Sequence, residues 1–283
     1  MKIGIIGSGY VGIATGKLLN ELGNEIIFYD VVDKKIEEFK FTKNLEDIVK
    51  KCELIFICVP TPSSKTGEID LKILENVCET LADIYIKLNV NIPIVIKSTV
   101  VPGTTKKISK DLFESKGINI SFGSNPEFIT EISSSWTKNI EMIRDWSSED
   151  KIVIGSEDEK IKHILNKIYE KFSEKIINTD TKTAEFIKYA SNYCLASKIS
   201  FFNELYLIAK ELNIDNEVVI NSLIKDPRIG IYGSVNGKAY GGKCLPKDTL
   251  ALQKNLIGKL ETPILDSTIK INEIMEKKYG KRE

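Results

Sequence analysis

The strongest constraint on the fold lies in residues 1–30, MKIGIIGSGYVGIATGKLLNELGNEIIFYD. Residues 2–6 form an apolar run of strand length, and Gly7, Gly9 and Gly12 follow it as G-x-G-x-x-G. Residues 10–22 then repeat apolar side chains at helical spacing and stop at Gly23, a residue suited to a left-handed C-cap. A second apolar run, EIIFYD, ends in Asp30. Each glycine has a mechanical reason: a tight turn, close approach of a pyrophosphate to the backbone, and close packing of helix on strand. The phosphates then meet the positive end of the helix. Asp30 falls where a carboxylate accepts hydrogen bonds from the adenosine ribose hydroxyls and repels a 2′-phosphate, which favours NAD over NADP. A bare glycine motif is weak evidence. Here strand, helix, second strand and terminal acid are all in register.

The alternation continues along the chain. CELIFICVPTP (52–62) reads as a buried strand with a proline-rich loop, Asp70 is placed to cap a helix over 71–88, and IPIVIKSTVVPG (92–103) gives another strand and loop. INISFGSNPEF (118–128), KIVIG (151–155) and KIINT (175–179) add three more strands. Strands alternating with helices predict a Rossmann-type, doubly wound parallel α/β sheet, whose ligands collect at the carboxyl ends of the strands. VPTP, KST and NPEF are therefore expected around one crevice. From Thr181 to about Leu212 the chain has no Gly or Pro and keeps helical spacing, so a long central helix is expected to separate two lobes. The predicted division is a dinucleotide-binding domain over 1–180 and a helical domain over 181–283.

Lys and Arg together number 40, as do Asp and Glu, so the net charge is zero and nothing favours nucleic acid or an anionic membrane as a partner. No apolar run reaches the length of a membrane span, and residues 1–10 open directly on a strand, so a cytoplasmic protein is expected. The five cysteines show no C-x-x-C pair or Cys/His cluster, which argues against zinc or any other metal and against a disulfide framework. Cys52, Cys58, Cys78 and Cys194 lie in apolar or helical segments and are expected in the core. Cys244 alone sits among glycines, in AYGGKCLPKDTLAL, just before a helix-like segment. His163 is the only histidine, so proton transfer must use carboxylates, lysine, hydroxyls or water. Lys188 and Asn192 share one helix face, as Glu127 and Glu131 do, and spacing alone leaves a solvated edge equally open for both pairs.

Taken together, GxGYVG, STVVPGT, NPEFxTE, AEFIKYASNYCLASKISFFNE, DPRIG and YGGKCLPKDTLAL occur in an order that resembles the UDP-glucose 6-dehydrogenase family. That family lies within the wider nucleotide-sugar dehydrogenases, which also oxidise GDP-mannose and UDP-N-acetylmannosamine. The resemblance runs from residue 1 to about 275. It implies a four-electron oxidation of a primary alcohol to a carboxylate with two NAD⁺, in which Cys244 forms a thiohemiacetal and then a thioester. It further implies that Lys188 and Asn192 stabilise the oxyanions, that Asp248 and Thr99 hold the water, and that Glu127 positions the sugar and assists hydrolysis. Cofactor contacts are implied for Gly7, Gly9, Tyr10, Val11, Gly12, Asp30, Lys35, Pro60, Thr61, Ser98, Thr99 and Glu131. Substrate contacts are implied for Glu127, Phe128, Lys188, Asn192, Tyr240 and Gly241. Arg228 matches an arginine that reaches a neighbouring subunit's sugar site, which implies a homodimer through the central helix and its all-helical domain.

Three departures stand beside the resemblance. DKKIEEFKFTKNLEDI joins directly where the family has a longer connection after Asp33. The cysteine loop, usually G-F-G-G-S-C-F, reads Ala239-Tyr240-Gly241-Gly242-Lys243-Cys244-Leu245, and Lys243 could lower the thiol pKa or point to solvent. The family's C-terminal domain, which grips the nucleotide of the sugar, is expected to be absent. Two other readings compete: a two-electron β-hydroxyacid dehydrogenase, which has no use for Cys244 and Asp248, and a non-catalytic remnant that binds NAD.

Overall fold

The computed structural model describes residues 1–32, 36–64, 66–129, 136–137 and 150–282. They divide into two compact units, the first of Met1–Pro62, Ile69–Ile129 and Arg144–Lys188, the second of Ser63–Glu68, Thr130–Ile143 and Tyr189–Glu283.

The first unit is built on eight strands: β1 (Lys2–Ile6), β2 (Glu25–Tyr29), β3 (Lys40–Thr42), β4 (Leu54–Ile57), β5 (Ile94–Ile96), β6 (Phe122–Ser124), β7 (Ile152–Gly155) and β8 (Ile176–Thr179). Their order is β3-β2-β1-β4-β5-β6-β7-β8. The predicted doubly wound sheet is present, with one difference: β6 and β7 pair antiparallel through Ser124 and Gly155, while every other pair is parallel. The inner strands are buried on both faces because helices cover both, whereas the edge strands β3 and β8 are partly exposed. Ile6, Ile27, Ile55, Ile57, Ile94 and Ile96 turn one way, onto α2 (Leu45–Lys51) and α3 (Lys72–Leu88). Ile3, Ile5, Ile26, Phe28, Leu54, Phe56 and Val95 turn the other way, onto α1 (Tyr10–Glu21) and α5 (Glu159–Ile168). Asp70 accepts the Lys72 N–H at 3.0 Å, but the N-cap of α3 is Leu71, one residue later than expected. Between β5 and β6 lies the short α4 (Thr104–Ile108).

Chain order reverses between β1 and β4, and at such a switch point the connecting loops diverge and open a crevice at the carboxyl ends. The 31-residue α6 (Thr181–Glu211) begins in the first unit and continues into the second. The second unit adds α7 (Asn216–Leu223), β9 (Ala239–Tyr240), α8 (Leu245–Leu256), α9 (Pro263–Tyr279) and β10 (Lys281–Arg282), with β9 and β10 forming a small parallel ladder. Among the described residues, no helix is long and apolar enough to cross a membrane.

Leu81 is fully buried under the sheet on α3, whereas Ile73 on the same helix is exposed. Leu81→Ala is expected to lower the unfolding free energy by about 2–5 kcal/mol. Ile73→Ala is expected to change it by about 0.5 kcal/mol or less. Urea titration followed by circular dichroism measures both.

Candidate active site

The glycine turn is formed by necessity. Gly7 has φ +99°, and a Cβ there would lie 2.6 Å from the Cys58 carbonyl oxygen of neighbouring β4's end. A Cβ on Gly12 would come within 1.9 Å of the Gly7 oxygen, so only glycine lets α1 start this close to β1. Gly9 is the N-cap of α1 with no side-chain acceptor, and a Cβ on it would meet nothing within 4 Å. The helix start is thus backed by tight backbone below and open space above. This is the shape a pyrophosphate needs. Asp30 follows β2, and its Oδ2 accepts both the Ser8 N–H (2.8 Å) and the Ser8 hydroxyl (2.7 Å). That holds the carboxylate beside the turn, where ribose hydroxyls are placed in this fold. These residues fit a dinucleotide. Tyr10 is exposed and Val11 half-buried at the same helix start, while Lys35 lies outside the described residues.

Across the switch point, the loops after β4 and β5 are tied to each other. The Ser98 hydroxyl donates to the Val59 oxygen at 2.7 Å, and the Thr61 hydroxyl donates to the Thr99 oxygen at 2.7 Å. Pro60 stays exposed between them. After β6, Asn125 anchors NPEF. Its amide donates to the Val153 oxygen at 2.8 Å, and its Oδ1 accepts from the Tyr169 hydroxyl (2.8 Å) and the buried Lys97 ammonium (3.1 Å). The sequence placed KST and NPEF at the crevice but gave no role to Lys97 or Asn125. Two residues on, Glu127 meets Lys188 of α6, with Oε1 to Nζ at 3.1 Å and side chains 9% and 6% exposed. The other oxygen of Glu127 accepts the Ile129 N–H at 2.9 Å, and the Lys188 ammonium lies 5.4 Å from the centre of the Phe128 ring. Glu131, the predicted companion of Glu127, lies outside the described residues.

The second unit carries a separate cluster. Cys244 is exposed and is the N-cap of α8, with Pro246 in the first turn. One turn later Asp248 is buried; its Oδ2 accepts from the Asn192 amide and its Oδ1 from the Lys247 ammonium, each at 2.5 Å. Asp248 is therefore held from both sides, and Lys247 is a partner that the sequence gave no reason to single out. Upstream, Asn272 of α9 clamps the Tyr240 backbone by accepting its N–H at 2.8 Å and donating to its oxygen at 3.1 Å. The Tyr240 ring packs on Trp136, Ala196 and Ile199, and burial pushes its hydroxyl up to about 12. Gly241 lies against β10, where a Cβ would meet the Arg282 oxygen at 2.5 Å. Arg228 is exposed and pairs within its own turn, Nη2 to Asp226 Oδ2 at 2.6 Å.

The cysteine expectation needs one correction. Cys52, Cys58 and Cys78 are buried, and burial raises their thiols, to about 11 for Cys52 and about 12 for Cys58. Cys194, expected in the core, is exposed. The buried face of this stretch of α6 runs through Tyr189, Asn192, Ala196, Ile199 and Asn203, and position 194 falls off that stripe.

Known proteins place this arrangement. The NAD binding domain model of the UDP-glucose/GDP-mannose dehydrogenase family matches residues 1–40 and 37–173, and the family's central domain model matches 182–274. The chain belongs to the UDP-glucose/GDP-mannose dehydrogenase family, and its first unit is the family's NAD-binding domain. The two matched pieces overlap at residues 37–40. The UDP-glucose 6-dehydrogenase YwqF of Bacillus subtilis is 35% identical over 96% of this chain and 66% of its own length. The GDP-mannose 6-dehydrogenase of Pseudomonas aeruginosa is 30% identical over 96% of this chain and 68% of its own. A solved UDP-glucose dehydrogenase from the hyperthermophilic archaeon Pyrobaculum islandicum superposes with a TM-score of 0.84 at 30% identity, covering 98% of this chain and 68% of that one. The chain thus spans about two thirds of the length of these relatives.

The position of Asp30 beside the glycine turn predicts that NAD⁺ binds and that NADP⁺ binds much more weakly. Asp30→Ala should narrow the gap. Calorimetric titration with both cofactors decides the matter, and equal affinities for the wild-type chain would remove Asp30 from cofactor selection.

Proposed function

We propose that this chain carries the catalytic machinery of an NAD-dependent nucleotide-sugar dehydrogenase that oxidises a primary alcohol to a carboxylate in two successive steps, with UDP-glucose as the expected donor. The observation that carries the reading is an exposed cysteine at the start of α8 whose neighbour Asp248 is buried and held by Asn192. A one-step alcohol dehydrogenase has no use for that thiol.

Bound NAD⁺ supplies the electron acceptor for each oxidation. The protein's own residues do the rest. Lys188, fixed by Glu127, presents a buried positive charge to the alkoxide of the alcohol and later to the oxyanion of the adduct. The Cys244 thiolate attacks the aldehyde carbon; a C–S bond forms and the carbonyl electron pair moves to oxygen, which Lys188 and the Asn192 amide stabilise. After the second oxidation the carbon is held as a thioester. Water held by Asp248 and Thr99 adds to it, and Glu127 assists as the C–S bond breaks and thiolate and acid part. Phe128, Tyr240 and Gly241 shape the sugar side of this proposal. Ser98, Thr61 and Pro60 shape the cofactor side.

The second unit also supports a homodimer through the central helix. Cys194, Phe201 and Ile208 recur every seven residues on the outer side of α6 and are all exposed. With Ile229, Ile264 and Ile271 the first two line an open apolar groove of ≈ 610 Å3. An apolar strip of this kind on one helix fits the same strip of a second copy, with Arg228 of each chain turned outward.

Two measurements check the proposal. With a panel of nucleotide sugars, the chain is expected to yield two NADH per substrate consumed and a sugar adduct on Cys244 visible by mass spectrometry. Cys244→Ser should nearly stop acid formation, since a serine hydroxyl without a base is a poor nucleophile. One NADH per substrate would favour two-electron chemistry, and uronic acid formed by Cys244→Ser at the wild-type rate would remove Cys244 from the mechanism. In sedimentation velocity the chain should run as a dimer and Phe201→Glu as a monomer; a monomeric wild type at micromolar concentration would remove the α6 interface.

A further inference from the structure

Among its described residues, the first unit buries one carboxylate that the mechanism above leaves unused. Glu185 lies on α6 and is 2% exposed. Among the described residues no cation pairs with it, and burial raises its pKa against the pull of the N–H groups it accepts from. Its Oε2 accepts the Gly103 N–H at 2.5 Å and its Oε1 accepts the Thr105 N–H at 2.7 Å. Gly103 has φ +99° and is the N-cap of α4, whose own sequence provides no capping side chain. Glu185 thus does from a distant helix what an Asp or Ser at the cap would do locally. A local cap would serve α4 alone at lower cost, because burying a carboxylate without a countercharge is expensive. What the distant carboxylate adds is a fixed link between two segments far apart in sequence.

Both ends of that link lead to the proposed chemistry. Gly103 closes the loop that begins with Ser98 and Thr99, and those residues are bonded to Val59 and Thr61 of the loop after β4. That loop pair lies on the β4–β5 side of the switch point, opposite the side where Asp30 would hold the adenosine half. At the other end, Lys188 lies three residues after Glu185 on the same helix, about 4.5 Å along its axis. We infer that Glu185 is a positioning residue that locks the Ser98–Gly103 loop, over the nicotinamide end of the cofactor, to the helix that carries Lys188. The inference rests on the NAD-dependent reading above. It goes beyond that reading in assigning the register between cofactor loop and charged lysine to one buried carboxylate.

The link makes a prediction about binding that needs no turnover. A loop fixed by Glu185 contributes to holding the nicotinamide half and nothing to holding the adenosine half. Calorimetric titration of the full chain with NAD⁺ and with ADP-ribose, which lacks nicotinamide, separates the two. Glu185→Ala is expected to weaken NAD⁺ about tenfold, the scale of one lost charge-assisted hydrogen bond. ADP-ribose affinity should stay unchanged. Glu185→Gln keeps one acceptor and the side-chain volume, and should fall between wild type and Glu185→Ala; it also serves if the alanine variant fails to fold. Equal weakening of both ligands would show that Glu185 only supports the fold, and unchanged NAD⁺ affinity in both variants would show that it does not position the loop. Either result overturns this inference alone. Failure of the wild-type chain to bind NAD⁺ would overturn the cofactor reading and this inference together.

Discussion

Burying an ammonium group and keeping it charged requires a partner, and the Lys188–Glu127 pair sets that requirement for the first unit. Each charge loses its hydration, at an effective cost of several kcal/mol per ion, and their attraction offsets this only when the geometry is held. The structure holds it from both sides. Glu127 cannot drift because Asn125, two residues earlier, is bonded to Val153, Tyr169 and Lys97. Lys188 cannot drift because it sits in a helix whose neighbouring residue Ala184 packs against Val153 and Phe128. Removing either partner leaves an uncompensated buried charge, which costs about 3–5 kcal/mol in comparable pairs. In the proposed reaction, an ammonium with few free rotamers and little water around it would be a better electrostatic catalyst than the same group on a surface, since it needs no reorganisation when negative charge develops.

The parts of this fold that local chemistry dictates were legible in the sequence. The glycine turn was, because close approaches at Gly7 and Gly12 exclude a side chain, and so was Asp30, because it follows a strand at a fixed distance from that turn. Strands β4 to β8 were legible as well, as apolar runs of strand length, whereas the short edge strand β3, KFT, carries no such run and was not anticipated. What escaped depends on partners distant in sequence. A run such as KIVIG carries no mark of direction, so the antiparallel pairing of β6 and β7 could not be read from it. Cys194 was misread because helical spacing tells which residues share a face but not which face is covered. Glu185 and Asn272 look like ordinary helix residues, and only the loops they reach reveal them.

For the candidate site the division is similar. Lys188 and Asn192 were identified as a pair of residues on one face, but spacing left a solvated edge equally open. Burial decides between the readings, since both side chains are excluded from solvent and each has a carboxylate partner of its own, Glu127 for Lys188 and Asp248 for Asn192. Neither partner follows from helix periodicity. They come from a strand-end loop and from the first turn of α8.

Of the five cysteines, Cys52, Cys58 and Cys78 are buried and Cys194 and Cys244 are exposed. Cys58 packs under the glycine turn and Cys52 ends α2; both are kept protonated by burial, with pKa values of about 12 and about 11. Cys244 is exposed and follows a glycine-rich stretch that composition alone would leave loose. The second unit removes that looseness by fixing the segment at both ends. Before the thiol, Asn272 grips the Tyr240 backbone in both directions, the Tyr240 ring is buried, and β10 lies so close that only glycine fits at position 241. After it, the chain enters α8 directly, and the Asp248 N–H donates to the Cys244 oxygen at 2.9 Å. Between these anchors only Gly242 and Lys243 precede the sulfur-bearing residue, so the thiol is reachable from solvent while its backbone has little freedom to move. Accessibility and rigidity usually exclude each other on a loop, and here the clamp on Tyr240 is what reconciles them.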